Sequence, residues 1–195
     1  MIELARRFLS SRGIHYLATR FGNTQMRSLS FDGKFDRGLW VFSDENADFL
    51  ELVERFSAGG HILALGCGTA SVAGKLRSGS FQSFLGVDLS TEAIRMASQR
   101  ESEKVRFEVG DMLQHRCERT YDVILFSNSL NYVNWWCRQR FLRRLAKNLT
   151  SGGRIIVTLA QPKRYSGLLN MIRRAFVADV DRELEGQGGH VIAFR

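Results

Sequence analysis

The stretch LALGCGTAS (Leu63–Ser71) decides the fold of this chain. The apolar residues 62–65 predict a short buried strand, Gly66-Cys67-Gly68 predicts a turn, and the residues that follow predict the start of a helix. Glycines suit this turn because a Cβ would keep a ligand away from the backbone. About 20 residues later a second predicted strand, Ser83–Val87, ends in Asp88, an acceptor placed to bind the diol of a ribose. Together the two segments predict a βαβ unit that binds a nucleoside.

The spacing of the glycines indicates which nucleoside. A dinucleotide fingerprint, G-x-G-x-x-G/A, needs Gly or Ala at position 71, where this chain has Ser71. The sequence LGCGT followed by GVDLS (86–90) instead resembles the first two motifs of class I S-adenosylmethionine (SAM)-dependent methyltransferases. Three later blocks resemble the same family in the same order: VRFEVGDM (105–112), YDVILFSNSLNYV (121–133) and SGGRIIVTLAQP (151–162). The resemblance covers roughly residues 60–162.

Predicted strands alternate with predicted helices along the chain, which implies a parallel sheet covered on both faces. The first five strands are predicted over Ile62–Leu65, Ser83–Val87, Val105–Val109, Val123–Phe126 and Ile155–Leu159. The last segments, 177–184 and 190–194 around a glycine-rich turn, resemble the family's closing antiparallel hairpin. We therefore expect an α/β, Rossmann-like class I methyltransferase fold. Its seven-stranded, mostly parallel sheet would end in that hairpin and carry helices on both faces.

The length of 195 residues predicts one domain. Residues 1–58 would form N-terminal helices or a lid, and residues 59–195 the Rossmann-like core. The first helix is expected to be amphipathic, with Leu4, Phe8 and Leu9 on one side, and a further helix is predicted over Phe42–Phe56 with Ser43 or Asp44 as its cap.

The resemblance implies a site for SAM, with S-adenosylhomocysteine (SAH) as the product. Gly66 and Gly68 would let the loop pass under the methionine part, and Asp88 would accept hydrogen bonds from both ribose hydroxyls. Leu89 would pack on the adenine, Asp111 would accept its amino group, and Met112 would lie along its ring. Ser127 and Asn128 would lie near the sulfonium methyl. The full predicted set is Leu65, Gly66, Cys67, Gly68, Asp88, Leu89, Asp111, Met112, Ser127 and Asn128.

Two positions depart from the family's pattern. Relatives commonly carry an acidic residue at the position of Ala64, where it helps to hold the methionine amino group, and a glycine at the position of Ala70. The methyl group of Ala70 should be tolerated. Asp32, Asp36 or Asp44 from the N-terminal segment could replace the missing carboxylate, or cofactor binding could be weak.

Methyl transfer from a sulfonium is an in-line displacement that needs alignment more than a catalytic triad or a metal. No residue is a clear general base; His15 and Tyr132 are the candidates, and Asn131 and Tyr132 could line an acceptor pocket. Tyr16, Trp40 and Phe42 could belong to a lid, although aromatic residues more often serve packing.

The cysteines and the apolar runs of the sequence indicate the compartment in which the protein works. Cys67, Cys117 and Cys137 lack metal-type spacing and are expected to be free thiols in a reducing, cytoplasmic compartment. No apolar run reaches the roughly 18–20 residues of a membrane span, and no membrane partner is expected.

The net charge of +8 is concentrated, because no Asp or Glu lies between Asp122 and Asp179. On a helix predicted over Asn134–Leu149, Leu142, Leu145 and Leu149 form an apolar stripe. The opposite face carries Arg140, Arg143, Arg144 and Lys147. This face is either solvated or a binding surface for nucleic acid.

Three functions are consistent with these patterns. The first is a SAM-dependent methyltransferase that acts at N or O of a small molecule. The second is an RNA methyltransferase that uses the basic face. The third is a non-catalytic SAM-binding or scaffold protein, which the loss of a carboxylate at Ala64 would allow.

Overall fold

The computed structural model describes residues 2–35, 46–184 and 188–195. Seven strands form one sheet in the order β3-β2-β1-β4-β5-β7-β6. The strands are β1 His61–Leu65, β2 Ser83–Asp88, β3 Val105–Val109, β4 Tyr121–Ser127, β5 Leu149–Leu159, β6 Ala178–Glu183 and β7 His190–Phe194. The first five strands pair in parallel, and β7 pairs antiparallel with both β5 and β6. The predicted α/β fold with its closing antiparallel hairpin is confirmed.

Eight α-helices accompany the sheet within the described residues. They are α1 Ile2–Leu9, α2 Arg12–Phe21, α3 Thr24–Phe35, α4 Ala47–Ser57, α5 Ser71–Lys75, α6 Thr91–Ala97, α7 Trp135–Ala146 and α8 Ser166–Ala175. A 3-10 turn, Leu130–Tyr132, lies between β4 and α7.

The core lies on both faces of the sheet because side chains alternate along each strand. On β1, Ile62 and Ala64 pack on the side of α4, α5 and α6. Leu63 and Leu65 pack on the other side, with α7 and α8. All four are buried, so both helical layers cover β1.

Several boundaries differ from the sequence prediction. Strand β5 begins at Leu149 rather than Ile155, so Leu149 is not part of the apolar stripe of α7. Gly153 lies inside β5. A side chain at this position would come too close to β4, because an added Cβ would stand 2.8 Å from the backbone oxygen of Tyr121. The cap of α4 is Asn46, whose side chain accepts a hydrogen bond from the backbone N–H of Asp48. The predicted cap residues, Ser43 and Asp44, lie outside the described residues.

The apolar side predicted for α1 is only partly buried. Leu9 is buried, whereas Leu4 and Phe8 are 74% and 61% exposed. Helix α1 contacts α2 and α3, and of the three residues predicted on its apolar side only Leu9 is buried. In the described part of the chain, no helix is long and apolar enough to cross a membrane.

Candidate cofactor and acceptor cleft

A cleft lies at the carboxyl edge of the sheet, where ligands of open α/β folds bind. Its volume is about 880 Å³, including space open to solvent. Nine of the ten predicted cofactor residues line it; Leu65 does not, because its side chain is fully buried in the core. The other described lining residues are Arg27, Phe31, Thr69, Ser71, Gly110, Ser129 and Tyr132.

The turn after β1 depends on glycine at position 66. Gly66 has a φ of +69°, and a Cβ there would lie 2.5 Å from the Cβ of Ser129. Ser129 is held in that place because its hydroxyl donates to the backbone oxygen of Leu65 at 2.6 Å. The turn therefore accepts only glycine without rearrangement. Next to it, burial raises the pKa of the Cys67 thiol, so the thiol stays protonated.

Asp88 ends β2 and holds the glycine turn in place. One carboxylate oxygen accepts the backbone N–H of Gly68 at 2.8 Å, and the other accepts that of Ser90 at 2.9 Å. Burial raises the pKa of Asp88, the two backbone hydrogen bonds oppose the rise, and the nearby Asp32 carboxylate adds to it. Each oxygen keeps a lone pair, so Asp88 can still accept hydroxyl groups from a ligand in the cleft.

Asp111, which follows the end of β3, is the second carboxylate that lines the cleft. It accepts a hydrogen bond from the backbone N–H of Leu113 at 3.0 Å, and it pairs with the guanidinium of Arg27 at 2.9 Å. The side chains of Arg27 and Asp111 are 13% and 5% exposed. The ion pair joins α3 to the end of β3, so the residue predicted to accept the adenine amino group also anchors the N-terminal helices. Met112 approaches Gly66, where its Cε would lie 3.2 Å from an added Cβ.

Asn128 supports the loop after β4 as well as lining the cleft. Its φ is +52°, a conformation that asparagine tolerates better than most residues. Its side-chain oxygen accepts the backbone N–H of Ala160 at 2.6 Å, which ties the end of β4 to the loop after β5. Ser127, the last residue of β4, also lines the cleft.

His15 and Tyr132 come together through an aromatic cluster around Phe31. The ring centroids of His15 and Tyr132 each lie 5.3 Å from that of Phe31 and 6.3 Å from each other. Tyr132 and Phe31 line the cleft, whereas His15 lies behind them. The Ser30 hydroxyl donates to the backbone oxygen of Leu9 at 2.8 Å, so it must accept from Nδ1 of His15 at 2.6 Å. This assigns the proton of a neutral His15 to Nδ1.

Tyr132 is poorly suited to act as a general base. Burial raises the pKa of its phenol, and the neighbouring Tyr165 adds to the rise. At neutral pH the group is therefore a hydroxyl, which can orient an acceptor but not remove its proton. Asn131 lies beneath it and donates to the Tyr165 hydroxyl at 3.3 Å, which joins the 3-10 turn to the start of α8.

Ala64 lines a small apolar recess beside the cleft. The recess, about 220 Å³ including space open to solvent, adjoins Gly66 and Ser127 and is floored by Ala64, Phe84 and Leu125. Asp32 does not supply a carboxylate there, because it accepts the hydroxyl of Ser90 at 2.5 Å and the N–H of Glu92 at 3.2 Å. Asp32 thus caps α6. The other proposed substitutes, Asp36 and Asp44, lie outside the described residues, as do Trp40, Phe42 and the side chain of Tyr16.

The four residues predicted on the basic face of α7, Arg140, Arg143, Arg144 and Lys147, are all exposed. Arg144 differs from the other three because it also donates to the backbone oxygen of Leu113 at 2.8 Å. Arg138, which belongs to the same run of cations, is buried and donates to the backbone oxygen of Val133 at 2.6 Å. Arg144 and Arg138 therefore hold loops in place.

Sequence reasoning missed Arg27, Phe31 and Ser129 as residues of the cleft. Arg27 and Phe31 come from the segment with the weakest pattern, and their one signal is the spacing of four that places both on the same side of a helix. Ser129 follows two predicted residues directly, but only the tertiary structure brings it against Gly66. Among the described residues, no group of three or more His, Cys, Asp or Glu side chains could hold a metal, and the three cysteines are unpaired.

Comparison with known proteins agrees with this geometry. Residues 62–153 match the family model of the methyltransferase domain. The match, which covers just under half of the chain, supports the class I SAM-dependent methyltransferase family that the sequence motifs resemble. The match begins in β1 and ends in β5, so it contains the glycine turn, Asp88, Asp111 and the loop after β4. No curated protein sequence matches the chain significantly.

Solved structures of several methyltransferases share the fold of this chain. The N-methyltransferase NodS of Bradyrhizobium japonicum WM9, in complex with SAH, is 19% identical with a TM-score of 0.67, over 84% of this chain and 97% of NodS. A TehB-like SAM-dependent methyltransferase of Corynebacterium glutamicum is 20% identical with a TM-score of 0.63, over 87% and 98%. A SAM-dependent methyltransferase of Clostridium acetobutylicum is 12% identical with a TM-score of 0.64, over 89% and 99%.

Proposed function

We propose that this protein transfers the methyl group of SAM to a nitrogen or oxygen atom of a small molecule and releases SAH. The observation that carries the proposal is the pair of carboxylates, Asp88 and Asp111, at the ends of neighbouring strands around a glycine turn. Asp88 would accept both ribose hydroxyls, and Asp111 the adenine amino group. Charge-assisted hydrogen bonds of this kind are the strong ones in such a site.

The rest of the cleft supports the same assignment. Leu89 and Met112 give the adenine ring two apolar neighbours, and Met112 is flexible enough to fit its face. Gly66 and Gly68, both with positive φ, allow the methionine part to run along the backbone. Ser127 and Asn128 stand at the end of β4, beside the place where the sulfonium methyl would point.

The acceptor would enter between α3 and the 3-10 turn. Phe31 and Tyr132 line the cleft there, and their rings contact each other edge to face with centroids 5.3 Å apart. Displacement at the methyl group requires the acceptor atom, the methyl and the sulfur to lie in line, and holding them so can supply several kcal/mol. Tyr132 would orient the acceptor through its hydroxyl. His15 would help to hold Phe31 and Tyr132 in place through its contacts with their rings.

Calorimetric titration with SAM and SAH, on the native protein and on Asp88→Ala, tests the cofactor site. We expect micromolar binding that Asp88→Ala weakens at least about 100-fold, since it removes two charged hydrogen bonds of about 1.5–3 kcal/mol each. Asp88→Asn, which keeps an oxygen for one backbone N–H, should fall between the two.

Binding to the native protein should also weaken as the pH falls, because only ionised Asp88 accepts two hydroxyls well and its pKa is raised. If SAH binds but no acceptor in a library of amines and alcohols is methylated, the protein is a SAM-binding scaffold. If neither ligand binds, the recess at Ala64 marks a lost site.

A further inference from the structure

The outer face of α7 carries cations that no carboxylate neutralises. Arg140, Arg143 and Lys147 are exposed, and none makes a hydrogen bond or an ion pair within the described residues. The stretch without Asp or Glu between Asp122 and Asp179 is the reason, since it includes all of α7. Elsewhere on the surface, exposed arginines do pair with carboxylates: Arg77 with Glu54, Arg95 with Glu92 and Arg173 with Asp181.

Two exposed tryptophans stand at the start of the same helix. Trp135 and Trp136 are 71% and 58% exposed, and their rings meet edge to face with centroids 6.0 Å apart. Large aromatic rings are rarely left this accessible without a binding role. Trp136 also continues the row of cations, because it stands four residues before Arg140. The series Trp136, Arg140, Arg143 and Lys147 follows the spacing of one helix face.

The aromatic end of this row is the end next to the cleft. Tyr132 lines the cleft and precedes Trp136 by four residues, which limits their separation to about 15 Å. The exposed Arg164 lies over the ring of Tyr165 at 5.6 Å. Asn131 links Tyr165 to the 3-10 turn. A further exposed cation therefore lies on an aromatic ring that is joined to the turn carrying Tyr132.

We propose that the stripe Trp135, Trp136, Arg140, Arg143 and Lys147 binds single-stranded RNA. Bases would stack on the two tryptophans, and phosphates would follow the cations, which recur about every 5.4 Å turn of the helix. A single strand fits better than a duplex because only unpaired bases offer their faces to aromatic side chains. RNA binding by the stripe is independent of methyl transfer. Presentation of a nucleotide to the cleft, which would make RNA a second acceptor, rests on the proposed function.

Fluorescence anisotropy with a labelled single-stranded RNA of about 12 nucleotides tests the stripe on the full-length protein. If three phosphates are neutralised, the logarithm of the RNA association constant should fall with the logarithm of the salt concentration at a slope of about −2. That slope corresponds to a loss of roughly 20-fold between 50 and 200 mM salt. The triple variant Arg140→Glu, Arg143→Glu, Lys147→Glu should lose binding at least about 50-fold. Trp135→Ala with Trp136→Ala should lose at least about 30-fold.

A matched control separates the stripe from net charge. Arg7→Glu, Lys104→Glu and Arg106→Glu cause the same change in formal charge at exposed positions on α1, just before β3 and on β3. They should keep RNA affinity within about threefold. The absence of RNA binding at low salt would overturn the proposal. Equal losses in both triple variants, or binding that the tryptophan changes leave intact, would overturn it too.

SAH titration of the same variants keeps this proposal apart from the proposed function. The α7 triple variant should bind SAH as the native protein does, because none of its three positions lines the cleft. RNA binding without SAH binding would support the stripe and contradict the cofactor site. SAH binding without RNA binding would support the cofactor site and contradict the stripe.

Discussion

The glycine turn between β1 and β2 is held mainly by backbone groups, whereas the rest of the cleft is held by side chains from distant segments. In the first part, the N–H groups of Gly66 and Cys67 both donate to the backbone oxygen of Val87, and Gly68 donates to Asp88. In the second part, Phe31 of α3 packs on Tyr132, and Asn131 reaches Tyr165 at the start of α8.

This difference separates positions that the backbone restricts from positions that many residues could fill. Backbone hydrogen bonds in a tight turn restrict which residues can stand there, so the cofactor part needs specific glycines and one aspartate. Side-chain contacts between separate helices can be met by many residue pairs, so the acceptor part can vary. Four substitutions test how sharply the two parts divide.

Gly66→Ala should have the largest effect. The new Cβ would meet Ser129 at 2.5 Å in a left-handed conformation, and we expect a loss of about 3 kcal/mol in the free energy of unfolding together with loss of SAH binding. Denaturant unfolding and calorimetry measure both. Gly79→Ala is the matched control, since nothing lies within 4 Å of its added Cβ, and it should change stability by no more than about 0.5 kcal/mol. Equal effects at the two positions would mean that the turn is not constrained.

Arg27→Ala should rank second, because it leaves the Asp111 carboxylate unpaired in a largely buried place. We expect a loss of about 2 kcal/mol in the free energy of unfolding, below the range for fully buried pairs because Arg27 is 13% exposed. Arg95→Ala removes the exposed pair with Glu92 and should cost about 0.3–0.5 kcal/mol.

The double variant Arg27→Ala with Asp111→Asn should recover part of the Arg27→Ala loss, since it also removes the unpaired charge. Additive losses in this cycle would contradict the idea that the ion pair anchors α3 to the core.

Tyr132→Phe should have a smaller effect, confined to catalysis. Because burial raises the pKa of its phenol, Tyr132 cannot supply the base at neutral pH. Its loss should lower kcat less than about 10-fold and leave the pH–rate profile unchanged. Steady-state rates from pH 6 to 9, with an acceptor from the library screen, measure this. A fall of 100-fold or more with a lost limb of the profile would show that Tyr132 is the base after all.

Ala70→Gly should give the smallest effect and the opposite sign. Ala70 has a φ of +55°, a conformation that costs a non-glycine residue about 1–2 kcal/mol, against about 0.5–1 kcal/mol for the greater freedom of glycine when unfolded. We expect a gain of about 0.5–1 kcal/mol by denaturant unfolding. Ala73→Gly, inside α5, should lose stability instead. The sequence predicted that Ala70 is tolerated; the structure adds that it is strained.

The sequence alone predicts the succession of the strands along the chain and the residues at their carboxyl ends, but not the order of the strands across the sheet. Alternating apolar segments and glycine turns are local patterns, and parallel strands bring their carboxyl ends to one edge of a sheet wherever such patterns recur. These local patterns alone therefore place Asp88, Asp111 and Ser127 around one cleft, while the roles of the three residues toward a cofactor remain proposals.

Only the tertiary structure decided which residues complete that cleft. Arg27 pairs with Asp111 across 84 positions of the chain, and Asp32, a candidate for the ammonium of the cofactor, caps α6 instead. Arg144 and Arg138 carry the same charge as Arg140, yet backbone oxygens accept hydrogen bonds from their guanidinium groups. A side chain's partners depend on which distant segments pack beside it, and no local pattern records that, because the choice is made by packing and burial across the whole chain.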